Sequence, residues 1–142
     1  MTFRLTLLLS VVLLAACTFW ANKPNDPETV AYVDWVSSDL IATDDPKFYA
    51  DQAAPELLDK FSAAKFVKMS KLVKQTLGQF IEYHSATGTT RFYNRPVDGV
   101  TEAGQYQSSA DFAHGTATID VFVQKINGKW KLYAYYVNMK FD

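Results

Sequence analysis

The chain has 142 residues, of which 49% are apolar, 15% are aromatic and 20% are charged. This length suits one folded domain, and the apolar fraction excludes a chain that is disordered throughout. The 14 lysines and arginines are balanced by 15 aspartates and glutamates, which excludes a basic nucleic-acid-binding face over the whole domain. A single cysteine excludes an internal disulfide and any metal site built from several cysteines.

Residues 1–16 have the order of a secretory signal peptide. Arg4 precedes an apolar run over 5–16, whose length as a helix is only about 18 Å, shorter than a membrane span. The run ends in the sequence LAAC at 14–17, which resembles the bacterial lipobox, the motif whose cysteine is acylated before the signal is removed. An ordinary signal with a chance cysteine is the alternative.

The lipobox resemblance implies that Cys17 is the lipidated N-terminus of the mature protein. It carries a diacylglyceryl group and an N-acyl chain such as palmitate, and several acyl chains anchor a protein stably. Thr18 stands where an aspartate commonly retains lipoproteins at the inner membrane, which favours an outer-membrane anchor facing the periplasm. We therefore divide the chain into a signal peptide (1–16), a lipidated cysteine and tether (17–25) and a single domain (26–142).

The first part of the domain has helical start and stop signals. Asp26 before a proline predicts a capped helix that ends near 43–46. A short helical piece follows at 47–52, and Pro55 opens another turn. Ser62 is predicted to cap a further helix that ends at Gly78.

After Gly78 the composition changes to aromatic and β-branched residues. The segment 79–93 predicts one long or kinked strand or a hairpin, followed by a turn at 96–99. Residues 104–113 alternate between apolar and polar, which predicts a strand with one buried face.

Asn127-Gly128 is the dipeptide most favoured in a type I′ turn, and it joins predicted strands over 119–126 and 129–139. Such a turn pairs Ile126 with Lys129, and the pairing then continues residue by residue along both strands. That register places Tyr136 and Ala134 toward the core. It leaves three aromatic residues on the other face, where we predict a binding interface: Phe122, Tyr133 and Tyr135.

Helices followed by antiparallel strands predict an α+β fold, with N-terminal helices packed on a curved antiparallel sheet. Trp35, Leu77-Gly78, the GQY sequence at 104–106 and Trp130 resemble the pattern of an uncharacterised family of secreted bacterial domains. That family lies within the nuclear transport factor 2-like, or cystatin-like, superfamily, which the order of helices and strands in this chain also resembles. The resemblance implies a cone-like fold whose sheet face commonly forms homodimers.

Some members of this superfamily are isomerases or dehydratases that use acid–base groups around an apolar pocket inside the cone. Burial in such a pocket tunes a carboxylate or a phenol toward neutral pH. In the simpler alternative, Asp34 is a solvated residue on its helix and His114 belongs to a turn. The candidate catalytic residues are Tyr32, Asp34, Tyr106, Asp111 and His114.

The sequence has no motif for a cofactor or a metal. His84 and His114 are the only histidines, lie far apart in the chain and form no HxH or HExxH pattern. No GxSxG sequence surrounds a serine, and the glycines occur singly. We expect no bound metal and no cofactor.

The sequence therefore predicts an envelope lipoprotein with a non-catalytic binding or scaffolding domain. Its expected partners are the lipid bilayer, through acylated Cys17, and a second copy or another envelope protein, through the aromatic sheet face. No nucleic acid is expected. Two alternatives stay open: an acid–base enzyme (isomerase, dehydratase or hydrolase-like) with a pocket inside the cone, and a sheet face covered by the chain's own loop near 97–103.

Overall fold

The structure is a computed structural model, and it describes residues 21–142. The predicted signal peptide, the lipobox and Cys17 lie outside the described residues. Within 21–142, every helix is too short or too polar to cross a membrane.

Helices occupy the first half of the described chain, and their ends follow the local sequence. The carboxylate of Asp26 accepts a hydrogen bond from the Thr29 amide, and the Ser62 hydroxyl accepts one from the Lys65 amide. Gly78, with φ of 83°, ends the last helix. The predicted caps are therefore confirmed. The helices are α1 (Pro27–Ala42), α2 (Pro46–Gln52), α3 (Pro55–Lys60) and α4 (Ala63–Leu77).

The strands form one antiparallel sheet in which each strand pairs with the next along the chain. The sheet is curved and does not close into a barrel. The predicted α+β class is confirmed. The strands are β1 (Ala21–Pro24), β2 (Phe80–Val97), β3 (Val100–Phe112), β4 (Gly115–Ile126) and β5 (Lys129–Phe141).

The edge strand β1 lies within the segment that the sequence analysis assigned to a tether. Its residues pair with β2 from Ala21 opposite Phe92 to Pro24 opposite Thr89. An extended segment next to an unpaired strand edge gains backbone hydrogen bonds by joining the sheet. The folded domain therefore begins before Asp26.

Strand β2 is one long strand with irregularities, which decides between the alternatives predicted for 79–93. Its pairing with β3 shifts register between Phe80 and Glu82, between His84 and Thr87, and between Phe92 and Val97. Bulges of this kind bend a strand and increase its twist. They account for the curvature of the sheet around the helices.

The β4–β5 hairpin follows the predicted register only near its turn. The pairs run from Ile126 opposite Lys129 to Val123 opposite Leu132, as expected. A bulge then leaves Tyr133 as an extra residue, and Phe122 pairs with Ala134.

The predicted faces of β5 beyond the bulge are therefore wrong, whereas the predicted inward positions of Ile119 and Val121 on β4 are confirmed. Tyr135 turns into the core and is 4% exposed, whereas Tyr136 turns outward and is 59% exposed. A shift of one residue moves every later side chain to the opposite face. Since 133, 135 and 136 are all tyrosines, the sequence pattern does not show on which face the aromatic residues continue.

The core lies between the helices and the facing side of the sheet. Tyr49 of α2 stacks on Phe66 of α4, with ring centroids 4.6 Å apart, and Phe66 contacts the Tyr135 ring of β5 edge-on at 6.2 Å. Tyr49 and Phe66 are fully buried. Large aromatic side chains thus occupy the space between α2, α4 and β5.

Candidate functional site

Asp34 of α1 binds the bulge in β2. Its carboxylate accepts hydrogen bonds from the Tyr83 hydroxyl (2.9 Å), the Ser85 hydroxyl (2.6 Å) and the Ala86 amide (2.8 Å). Ser85 and Ala86 fall in the register shift where β2 has no partner on β3. Asp34 therefore satisfies groups that the irregular strand leaves open, and it fixes the helix to the sheet.

Tyr106, another predicted catalytic residue, belongs to a buried ring of hydrogen bonds. Its hydroxyl accepts from the Asp26 amide (3.2 Å) and lies 2.7 Å from the Thr90 hydroxyl. Thr90 donates to the Thr29 hydroxyl (2.8 Å), which donates to the Asp26 carboxylate (3.0 Å). Each hydroxyl donates once and accepts once if Tyr106 donates to Thr90. A fully satisfied network of this kind stabilises one packing arrangement.

The Asp26 carboxylate at the end of this ring is ionised more readily than usual. Burial opposes its ionisation, but the hydrogen bonds from Thr29 and the ion pair with Lys23 outweigh burial and lower its pKa. The sequence analysis identified Asp26 as a helix cap. It did not identify Thr29 and Thr90 as its partners, because their contact depends on how α1 packs on the sheet.

Tyr32 lies on the surface of α1 that faces the end of the hairpin. Its ring stacks on Trp130, with centroids 5.7 Å apart, and its hydroxyl donates to the Gln52 side chain at 3.1 Å. Burial raises the pKa of this hydroxyl well above its ordinary value. The neutral phenol is therefore a packing group between α1, α2 and β5.

Asp111 and His114 are close in sequence, but the structure does not pair them. Asp111 lies on the sheet face away from the helices, where its Oδ2 is 2.6 Å from Nε2 of His84. His114 is exposed in the β3–β4 turn, where its backbone amide donates to the Leu77 carbonyl at 2.8 Å and its ring lies against Gly78.

The predicted catalytic residues thus occupy separate places and do not line a common pocket. Asp34 binds a strand bulge, Tyr106 belongs to a buried ring, and Asp111 lies on the opposite face of the sheet. The surface clefts around Tyr133 are not lined by any of these residues or by His114. The acid–base arrangement expected inside a cone is not formed among residues 21–142.

Two of the three residues predicted for the interface lie at the surface on the outer face of the sheet. Phe122 is 40% exposed on the face away from the helices, and Tyr133 at the bulge is partly exposed. Tyr135 was predicted on this face but is buried in the core, because of the bulge. Tyr136 takes its place, diagonally across the pair of strands from Phe122. We call Phe122, Tyr133 and Tyr136 the outer-face patch.

Tyr133 of this patch lies where surface clefts meet. It lines a cleft of about 280 Å³ with Phe122 and Gln105, and another of about 530 Å³ with Tyr93 and Val97. A third, of about 410 Å³, extends along β5 past Tyr136. The loop after Val97 borders the cleft of about 530 Å³ without burying the patch, since Phe122 and Tyr136 are 40% and 59% exposed.

An ion-pair cluster that sequence reasoning missed joins α1 to the hairpin. Nζ of Lys125 is 2.5 Å from a carboxylate oxygen of Glu28 and 3.8 Å from one of Glu102, and it lies 5.7 Å from the centre of the Trp130 ring. Burial raises the pKa of Glu102, whereas the hydrogen bond from Lys125 lowers that of Glu28. No local motif reveals this cluster, because Glu28 and Lys125 are distant in sequence.

A second cluster that was missed contains one of the two histidines. The donor atoms of Glu82, His84 and Asp111 all lie within 4.8 Å of one another on the outer face. In the sequence, His84 was considered as a metal ligand only together with His114. Glu82 and His84 are two residues apart on a predicted strand, which indicates that their side chains share a face. That Asp111 lies beside them depends on the β2–β3 register, which the sequence does not show.

The pairing of His84 with Asp111 gives a testable pH dependence. The hydrogen bond to Asp111 raises the pKa of the His84 imidazole above its ordinary value. The pair therefore stabilises the fold at pH values below the imidazole's unfolded pKa, and this contribution is lost as the pH rises through the folded pKa. We expect an NMR titration to show the raised pKa, and Asp111→Asn to lower it. An unchanged titration in Asp111→Asn would contradict the pairing.

The described residues thus define an α+β domain in which helices cover one face of a curved antiparallel sheet, with an aromatic patch on the other face. Comparisons with known protein families, curated proteins and solved structures find no match to the chain.

Proposed function

We propose that the chain is a bacterial envelope lipoprotein whose domain self-associates through the outer-face patch and catalyses no reaction. In this proposal Cys17 is acylated, the anchor lies in the outer membrane, and the domain is nuclear transport factor 2-like and faces the periplasm. The LAAC sequence at 14–17, placed directly after the apolar run, supports the anchor. The exposed aromatic side chains of the outer-face patch, together with the row of uncharged residues across the strands beside Phe122, carry the proposal of self-association.

The centre of this surface suits a contact between two identical copies. Thr89, Gln105 and Phe122 are consecutive cross-strand neighbours on β2, β3 and β4, and all three are uncharged. In a two-fold contact each residue near the axis meets its own copy, so charged residues there would repel. Charged side chains such as Arg91 and Asp120 lie at the margin of this row.

The side chains at the patch have the chemistry of interface residues. Phe122 and Tyr136 are large and exposed, and tyrosine combines an apolar ring with a hydroxyl that tolerates water. Anchoring in a membrane would raise the local concentration of the domain, so a modest affinity would be enough for pairing.

The placement of the acid–base candidates supports a non-catalytic domain. The Asp34 carboxylate accepts three hydrogen bonds from the sheet, and the Tyr106 hydroxyl lies in a closed ring of partners. Both groups have structural partners in place of a substrate. Neither lines the surface clefts around Tyr133.

Truncating the patch should separate the copies. We expect the full chain in detergent to sediment as a dimer, and the variant Phe122→Ala with Tyr133→Ala to dissociate at least about 10-fold more readily. Sedimentation over a range of concentrations measures this change. Leu72→Ala is the matched control, because Leu72 is an exposed apolar residue on α4.

A wild-type chain that stays monomeric at all concentrations would contradict self-association. If the double variant instead releases another envelope protein that the wild type retains, the patch binds a different partner.

Removing the cysteine thiol should remove the anchor. We expect Cys17→Ser to move the protein from the membrane fraction to the soluble fraction, because no acyl chain can be attached. Thr18→Ala, which keeps the cysteine, should stay in the membrane. Fractionation with detection of the protein measures both variants, and membrane retention of Cys17→Ser would contradict lipid anchoring.

A further inference from the structure

Three potential metal ligands meet on the outer face, at the end of the sheet near the β3–β4 turn. Glu82 and His84 are two residues apart on β2, so both side chains point to the same face. Asp111 of β3 pairs directly with Glu82, and His84 pairs with the residue two positions earlier on β3. The register therefore places two carboxylates and one imidazole side by side on adjacent strands.

The spacing of their donor atoms is close to that of a metal site. One donor atom from each of Glu82, His84 and Asp111 lies within 4.8 Å of the others. Ligand atoms about 2.1 Å from a tetrahedral metal lie about 3.4 Å from one another. The three side chains are largely solvent-accessible, so small rotations about their side-chain bonds suffice to reach that geometry.

The cluster carries negative charge that the protein leaves largely uncompensated. Among the described residues, no lysine or arginine forms an ion pair with Glu82 or Asp111, and Asp111 contacts the His84 ring and, at 3.5 Å, the Thr116 hydroxyl. By contrast, Lys125 forms ion pairs with both carboxylates of another cluster, Glu28 and Glu102. A bound cation would supply the missing positive charge.

We propose that Glu82, His84 and Asp111 bind one Zn²⁺ ion, or a similar first-row transition-metal ion, with one ligand atom from each residue. Imidazole nitrogen with carboxylate oxygen suits zinc, and water completes its coordination. Mg²⁺ and Ca²⁺ prefer oxygen ligands, so the imidazole nitrogen of His84 favours a transition-metal ion over them. The imidazole binds the metal as a neutral ligand, so binding to the protonated ring releases one proton to solvent.

This site is independent of the proposed function. Asp111 lies six residues along β3 from Gln105, a distance of about 20 Å in an extended strand. Neither lipid anchoring nor pairing through the outer-face patch is needed for the ion to bind.

Zinc titration of the full chain in detergent, followed by calorimetry, tests the proposal. All samples carry Cys17→Ser, so that the chain's single thiol does not bind zinc. We expect one zinc ion per chain in this background. His84→Ala and Asp111→Asn should each weaken binding by at least about 10-fold, the lower end of what loss of a supporting group causes. His114→Ala is the matched control, because it removes the other exposed histidine and should leave binding unchanged.

Millimolar Mg²⁺ should not displace the zinc. Three results would overturn the proposal: no saturable zinc binding, binding that survives His84→Ala, or an equal loss in His114→Ala. Circular dichroism of each variant separates loss of the ligand from loss of the fold. If Asp111→Asn weakens binding while the spectrum stays native, the ligand role stands.

Discussion

Replacing Asp34 by alanine should lower the free energy of unfolding by about 3 kcal/mol. Hydrogen bonds to a charged acceptor contribute about 1.5–3 kcal/mol each, and partial exposure of the Asp34 carboxylate reduces their sum. The variant leaves the Ala86 amide and the Tyr83 hydroxyl without their acceptor at the β2 bulge. Denaturant unfolding followed by circular dichroism measures the loss.

Asp39→Ala is the matched control for this prediction. Asp39 lies on the same helix with similar exposure, and its side chain makes no hydrogen bond among the described residues. We expect a change within about 0.5 kcal/mol. Asp34→Asn should be intermediate, since an amide oxygen still accepts but its nitrogen does not. Equal stability of Asp34→Ala and Asp39→Ala would contradict the structural role of Asp34.

Replacing Gly88 by alanine should also destabilise the domain by about 3 kcal/mol. A methyl group at this position of β2 would lie 2.1 Å from the Gln105 carbonyl oxygen and 2.7 Å from Cγ of Tyr106. The oxygen belongs to the paired strand, so the backbone itself must move, and overpacking of this kind costs about 1–3 kcal/mol or more. Thermal and denaturant unfolding measure the change.

The neighbouring exposed residue provides the control for Gly88→Ala. Thr87→Ala changes the same strand on its outer face and should have little effect on stability. A Gly88→Ala variant as stable as the wild type would show that Tyr106 does not lie over Gly88 as described. It would also place the ring of hydrogen bonds through Tyr106 in doubt.

Local signals in the sequence predicted the elements of the fold well. The caps at Asp26 and Ser62, the stop at Gly78 and the turn at Asn127-Gly128 each depend on residues within a few positions of one another. For this reason the order of helices and strands, and with it the α+β class, was accessible from the residues alone.

The bulge at Tyr133 could not be predicted from local sequence signals. Both registers of β5 place apolar or aromatic residues on the core face, so the choice depends on how Tyr135 packs against Phe66. That contact joins residues of α4 and β5 that are distant in sequence. The error moved Tyr135 from the predicted interface into the core and brought Tyr136 to the surface.

The surroundings of a candidate residue could be predicted only where they come from the same hairpin or helix as the residue. The exposure of Phe122 and Tyr133 follows from the hairpin, whereas the hydrogen-bond partners of Asp34 and Tyr106 lie on other elements and were not visible in the sequence. The cluster around His84 depends on the register between β2 and β3, which shifts three times along the pair of strands.

The most direct test of self-association through the outer face is cross-linking of a single introduced cysteine in intact membranes. Acylation would block Cys17, so Gln105→Cys would provide the chain's only free thiol, beside Phe122 at the centre of the patch. We predict a disulfide-linked species of twice the monomer mass, which is absent from Lys68→Cys on the exposed surface of α4. No cross-link at Gln105→Cys, or equal cross-linking at both positions, would contradict pairing through this face.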